Sequence, residues 1–290
     1  MKKYAFMERK WIWISISLIV IAAGMISLIT RGLNWGVDFT GGYIVHFDIG
    51  EPYSLAEARQ MVEGLNFKDV EVKEAGDDHT ELIVQTSVLS QDQKDQLTQT
   101  IIGRWPKAQI IRAENVDAII GKELQRQALI ALMIANVGVL VYVAFRFEFK
   151  SGVAAILALV HDVLVMLSFY SIFYIPVDST FVAAILTIVG YSINDTIVIF
   201  DRIRENQRTM GKAKFDDIAN ISITQCLTRT INTSLTTLLS VIALYFLGGD
   251  TIKDFTLVLI VGMISGVYST VFIATPIWSM LRGQQKAARA

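Results

Sequence analysis

Apolar residues dominate whole stretches of this chain instead of recurring at every second or third position. Crossing a bilayer takes roughly 17–25 such residues. Six stretches qualify, at about 11–30, 128–145, 152–174, 181–200, 230–247 and 255–280. Lys2, Lys3, Arg9 and Lys10 precede the first, as they would a secretory signal. Its apolar part is longer than a signal core, and no small-residue cleavage site follows, so it reads as an uncleaved anchor.

Between the first and second stretches the pattern changes. "GGYIVHFDI" alternates, which predicts a strand. "SLAEARQMVEGL" opens on Ser54 with Glu57 three residues later, a capping box ahead of a helix. "VEVKEA" and "ELIVQT" flank a turn-like "GDDH" and predict a hairpin. "SQDQKDQLTQTIIGRW" predicts a second helix capped by Ser90, and "AQIIRAENV" a last strand. The order strand-helix-strand-strand-helix-strand is that of a ferredoxin-like α+β domain. "VDAIIGKELQRQALIALM" predicts a helix that starts outside and continues into the second span. The expected fold is a membrane all-α bundle of six transmembrane helices plus this small domain. Its parts are 1–30 (N-terminus and first span), 31–127 (extracytoplasmic domain), 128–281 (spans two to six) and 282–290 (tail).

Charge orients the bundle. Segments 1–10, 146–151, 201–229 and 282–290 hold 15 Lys and Arg, whereas the short loops 175–180 and 248–254 hold only Lys253. Both termini are therefore expected in the cytoplasm. Composition agrees with a membrane protein: 53% of residues are hydrophobic and mean hydropathy is +0.47. A net charge of −1 gives no reason to expect a nucleic-acid partner. One cysteine, Cys226, excludes an intramolecular disulfide, and His46, His79 and His161 are scattered, so no metal site is expected.

Two acids lie inside spans, Asp162 in "ALVHDVLVM" and Asp195 in "GYSINDTIVIFDRIREN". A charge at such depth costs about 2.5–3.5 kcal/mol on insertion scales. Hydroxyls and amides between membrane helices commonly act only as adhesive, about 0.6 kcal/mol per bond. That suffices for the Ser and Thr positions but not for Asp195, which an Asn or Thr could replace more cheaply. With Tyr191, Asn194 and Thr187 it forms a polar stripe on the fourth span. Arg229, Asn232, Thr233, Thr236, Thr237 and Ser240 form one on the fifth, expected to face it. Arg229 is long enough to reach Asp195. A carboxylate whose surroundings alternate between Arg and hydrocarbon can load and release a proton. No GxxxxGK[ST] is present, so ATP is not the expected fuel. Asp162, beside His161, is expected deeper, and either a proton role or a structural one fits it. Gly262 and Gly266 in "GMISG" read as a close-packing face. Segment 213–227 reads as an interfacial helix.

"GVDFTGG" at 36–42, "YVAFRFE" at 142–148, "HD" at 161–162, "GYSINDTIVIFDRIREN" at 190–206 and "SITQCLTRTINTSLTTLL" at 222–239 together resemble the SecD/SecF family of bacterial protein-export membrane subunits, on its SecF side. That family belongs to the RND superfamily. The resemblance covers nearly the whole chain. It implies a pseudo-symmetric pairing with SecD and work beside the SecYEG channel, possibly with YajC. It also implies non-enzymatic, proton-driven withdrawal of preproteins across the cytoplasmic (inner) membrane after the SecA stage. Protons are the coupling ion and no cofactor is implied. The family's proton-transport Asp and Arg fall on Asp195 and Arg229, and Asp38, Gly41 and Gly42 fall in the resembling segment "GVDFTGG", whose glycines suggest a tight backbone. The alternative is an RND-type exporter of lipids or small molecules. An intramembrane aspartyl protease using Asp162 and Asp195 lacks the GxGD element and would need the two acids at one depth.

Overall fold

The computed structural model describes residues 5–76, 79–146, 148–211 and 213–287. The basic residues Lys2, Lys3, Lys212 and Arg289, and Asp77 and Asp78 of the expected turn, lie outside them. In chain order the elements are α1 (Lys10–Arg31), β1 (Asn34–Trp35), α2 (Val37–Thr40), β2 (Gly42–Asp48), α3 (Leu55–Glu63), β3 (Glu71–Ala75), β4 (Glu81–Thr86), α4 (Gln91–Arg104), β5 (Gln109–Val116), α5 (Ala118–Arg146), α6 (Phe149–Phe173), β6 (Pro176–Val177), α7 (Ser179–Met210), α8 (Phe215–Leu247), α9 (Lys253–Ser269) and α10 (Thr275–Ala287). Among the described residues, six helical segments are long and apolar enough to cross a membrane.

The extramembrane domain is a four-stranded antiparallel sheet in the order β3-β4-β2-β5. Alternation works as read: Tyr43, Val45 and Phe47 of β2 and Leu82 and Val84 of β4 point into one core with Ala58 and Val62 of α3 and Leu97 and Ile101 of α4. Ser90 makes a complete capping box with Gln93. Ser54 makes only half of one: it accepts from the Glu57 amide, while the Glu57 carboxylate accepts from Arg104 at 2.7 Å. β5 differs from its neighbours, because none of its residues is buried.

The helices differ from the sequence expectation mostly in length. α7 continues to Met210 through the charged "DRIREN" because charge does not break a helix. Ion pairs Arg202–Glu205 and Arg204–Asp201 lie one turn apart along it, and it ends at Gly211, whose φ is +38°. α8 is a single helix from Phe215, so residues 215–227 are not a separate interfacial helix. Ile218, Ala219, Ile223 and Cys226 are buried in the bundle core, which holds this segment against α7 and not on a lipid surface. The sixth span is interrupted by a π-helical segment, Thr270–Ala274. Pro276 explains it, since proline offers no amide to the residue four positions earlier and its ring crowds that carbonyl. Trp278 is buried with its ring 4.7 Å from Phe200 and 5.1 Å from Phe215.

Glycines set the tightest crossings. A Cβ on Gly262 would stand 2.6 Å from Ile188 Cγ1 and 2.7 Å from Met166 Sδ, so α9 meets α7 and α6 only without a side chain there. Gly266 is similarly placed against Ser192, at 3.1 Å. Gly262→Ala is expected to destabilise the bundle by about 1–3 kcal/mol through overpacking, read as a lower unfolding midpoint in detergent.

The domain is fastened to the bundle at β3. Lys73 Nζ lies 2.8 Å from Asp254 Oδ2 at the start of α9 and 3.2 Å from Glu71 Oε1. The Glu74 amide donates to Asp250 at 3.4 Å. Burial works against the Lys73 charge, but attraction to Glu71 and Asp254 and their hydrogen bonds outweigh it and push the ammonium up to about 12. Its folded value is thus above its unfolded one. The contribution is complete below the ordinary lysine range and lost as pH rises through about 12. The lysine contact is therefore expected to stay intact across the neutral range. Lys73→Met is expected to weaken it by about 1.5–3 kcal/mol, seen as faster amide exchange along β3 at any pH from 6 to 9.

Candidate functional site

Apolar helices α6, α7 and α9 cross around one polar cluster centred on Asp162. Asp162 is 1% exposed. Oδ2 accepts from Ser192 Oγ of α7 at 2.7 Å and from Ser269 Oγ of α9 at 2.8 Å. Oδ1 accepts from Ser265 Oγ of α9 at 2.7 Å and lies 3.1 Å from His161 Nδ1. His161 Nε2 lies 2.9 Å from Ser17 Oγ of α1. The network assigns the ring proton to Nδ1, with Ser17 donating to Nε2. Four donors occupy the carboxylate, and with Ser17 the network ties four helices together. They leave no open position on it for a catalytic water. The π-helical segment begins directly after Ser269, and there Thr270 meets Thr196 of α7 at 2.9 Å.

Asp195 sits one turn along α7 from Ser192 in very different surroundings. It is 7% exposed and accepts one hydrogen bond, from Ser234 Oγ of α8 at 3.2 Å. Among the described residues no ion pair joins it to Arg229, whose side chain is exposed. The expected Asp195–Arg229 pair is therefore not formed in this conformation. Asp162 reaches Ser192, three residues from Asp195 toward the start of α7, so the two acids are offset along that helix by about 4.5 Å.

The polar stripe on α8 does not meet α7 as expected. Arg229, Asn232, Thr233, Thr236 and Ser240 are exposed. The face that meets α7 is Ser222, Cys226, Thr230 and Ser234, all buried and four residues apart. The helix is rotated by about one residue, 100°, from the orientation the polar stripe suggested. Small side chains let α8 approach α7 closely, and larger polar ones are left outside. Among the described residues, Tyr191 of the α7 stripe reaches the α8 stripe, its hydroxyl 3.3 Å from both the Thr233 carbonyl and Thr237 Oγ1. Asn194 is exposed beside the same face. Thr230 Oγ1, one turn from Ser234, is buried with no partner among the described residues.

The glycine motif lies away from both acids. Asp38 accepts from the Ser179 amide at 3.0 Å and from its hydroxyl at 2.6 Å, at the start of α7. Gly41 has φ +76°. A Cβ on Gly42 would meet the Thr86 carbonyl oxygen at 2.2 Å. The sequence reading missed Ser17, Ser192, Ser234, Ser265 and Ser269. Ser265 and Ser269 are spaced by four in an apolar helix beside the Gly262–Gly266 face, which marks one side of α9. Asking what an ionised Asp162 needs would have pointed to them.

The family described as "Protein export membrane protein SecD/SecF, C-terminal" matches residues 96–284, and "SecD/SecF GG Motif" matches residues 26–45. The chain is 36% identical to Protein translocase subunit SecF of Sebaldella termitidis, over 97% of this chain and 92% of that protein. It is 39% identical to Protein translocase subunit SecF of Pseudomonas aeruginosa, over 93% and 88%. The crystal structure of SecDF, a translocon-associated membrane protein from Thermus thermophilus, superposes with a TM-score of 0.83 at 34% identity. It covers 97% of this chain, which spans only 39% of that longer chain. With six membrane-length helices, the extramembrane sheet and these matches, the chain is a multi-pass membrane protein that belongs to the SecD/SecF family of protein-export membrane proteins.

Proposed function

We propose that this chain is the SecF half of a SecD–SecF unit that uses the proton gradient to draw preproteins across the cytoplasmic membrane late in export. The observation that carries this is the exposed polar face of α8, with Asn194 and the thinly solvated Asp195 beside it. Such a face is costly against lipid, so another membrane subunit covers it. The fused SecDF relative supplies its chemistry: the remainder of that chain corresponds to a partner subunit, SecD. Asp195 has one neutral donor, whereas Asp162 has four, so Asp195 is the acid free to exchange a proton. Arg229, on the exposed face next to it, is the cation that would approach and leave.

The extramembrane domain is read as ferredoxin-like, from its element order and antiparallel sheet, and as extracytoplasmic, from the basic residues at the opposite ends of the spans. Both termini are then cytoplasmic. β5, exposed along all but its last residue at a sheet edge, is the natural strand for a partner domain to extend. SecYEG, YajC and the emerging preprotein are the further partners of this reading. Energised inverted vesicles containing SecD and the channel provide the test. Dissipating the proton gradient after ATP-driven entry is expected to stall the preprotein when this chain is present. The same rate with and without the gradient would overturn the reading.

A further inference from the structure

We propose that Asp38 is a positioning residue that transmits movement of α7 to the extramembrane sheet. This rests on the reading of Asp195 as the proton carrier, because Asp195 rides on α7. Three observations meet at this point. First, a helix start leaves unsatisfied amides and partial positive charge. α7 receives two carboxylates there: Asp178 accepts from Phe181 at 3.0 Å, and Asp38 accepts from Ser179. Asp178 is the helix's own cap, whereas Asp38 comes from 141 residues earlier in the chain.

Second, the chain around Asp38 is bonded to the segment that leads into α7. β1 pairs in parallel with β6, the Gly36 amide donates to the Val177 carbonyl at 2.8 Å, and Asn34 donates to the Tyr174 carbonyl at 3.2 Å. Third, the chain leaves Asp38 with almost no slack. Gly42 begins β2, which is hydrogen-bonded on both sides by β4 and β5. Thr86 abuts Gly42, and α5 abuts α2 through Gly121, where a Cβ would meet the Phe39 carbonyl oxygen at 2.4 Å. A shift or tilt of α7 therefore pulls on an interior strand of the sheet through only a few residues. The contact of Lys73 with α9 is a separate attachment on the far edge of the same sheet. The domain thus grips two helices of the Asp162 cluster at two separate points, the start of β2 and the edge strand β3.

The test uses the full chain with its partner subunit and channel in energised vesicles. Export and proton uptake are measured together, the latter with a pH-sensitive dye. Asp38→Ala is expected to lower gradient-driven export about five- to tenfold, the scale of losing one helix cap, while proton uptake persists. Asp38→Asn, which keeps an acceptor, is expected to retain most of the export. A covalent link then replaces the lost one. A Cβ on Gly36 would lie 3.5 Å from Asp178 Cβ, within the span of a disulfide. In the Asp38→Ala background, Gly36→Cys with Asp178→Cys is expected to restore export on oxidation and lose it on reduction. A formed disulfide that restores nothing, although the same disulfide in a chain that keeps Asp38 leaves export intact, would overturn the proposal. So would wild-type export by Asp38→Ala in membranes where Asp195→Asn has lost both export and proton uptake. If Asp195→Asn loses neither, the proton reading itself has failed, and the coupling proposal falls with it.

Discussion

Asp195→Asn is expected to reduce export to its gradient-independent rate while the protein still inserts and pairs. Asparagine keeps the shape and still accepts from Ser234 Oγ, which stands 3.2 Å from the acid, but it cannot take up a proton. One proton crossing 100 mV supplies about 2.3 kcal/mol. At about 1.4 kcal/mol per factor of ten, the loss is bounded at roughly fiftyfold per coupled proton. Asp195→Glu, one methylene longer, is expected to keep part of the gradient response. Arg229→Gln is expected to slow proton uptake with no loss of fold, because its side chain is exposed and unpaired among the described residues. Unchanged export and unchanged proton flux in Asp195→Asn would sink the mechanism.

Asp162→Ala is expected to fail differently. It would leave Ser192, Ser265, Ser269 and His161 facing an apolar gap where a carboxylate now accepts from all of them. Breaking a buried charged network by removing one member costs about 3–5 kcal/mol. The midpoint of unfolding in mixed detergent should fall accordingly, and the protein should be cleaved faster in cells. Asp162→Asn should cost less, because its carbonyl still accepts and its amide can donate to a reoriented serine. A variant as stable as wild type that transports no protons would reverse the assignment and make Asp162 the carrier. The contrast between the two acids lies in the number of donors: four hold the Asp162 carboxylate in place, whereas Asp195 has one.

Much of this was legible along the chain. Six spans, the order of strands and helices, and the Ser54 and Ser90 caps follow from local pattern, because length, alternation and capping involve residues within one or two turns. Asp195 was legible because an acid in an apolar run is conspicuous. Its partner was not. Ser234 lies on a face of α8 beside the one that carries Arg229, and nothing local says which of the two turns inward. The Asp162 cage was hidden for the same reason. Ser192, Ser265 and Ser269 look like ordinary membrane-helix serines until α7 and α9 are brought against α6.

The chain by itself determined how many helices there are, where polar groups interrupt them, and which acid is exceptional. Only the packed bundle decided how each helix is rotated about its axis. Gly262, Gly266, Cys226, Thr230 and Ser234 allow backbones to approach, and close approach outweighs the matching of polar stripes. That rotation sent the α8 stripe outward and left Asp195 with one hydroxyl. Folding, through the pairing of β1 with β6, also placed Asp38, remote in sequence, at the first turn of α7. Sequence specifies the local elements because their energetics are local, whereas helix rotation is a property of surfaces that meet only in the folded chain.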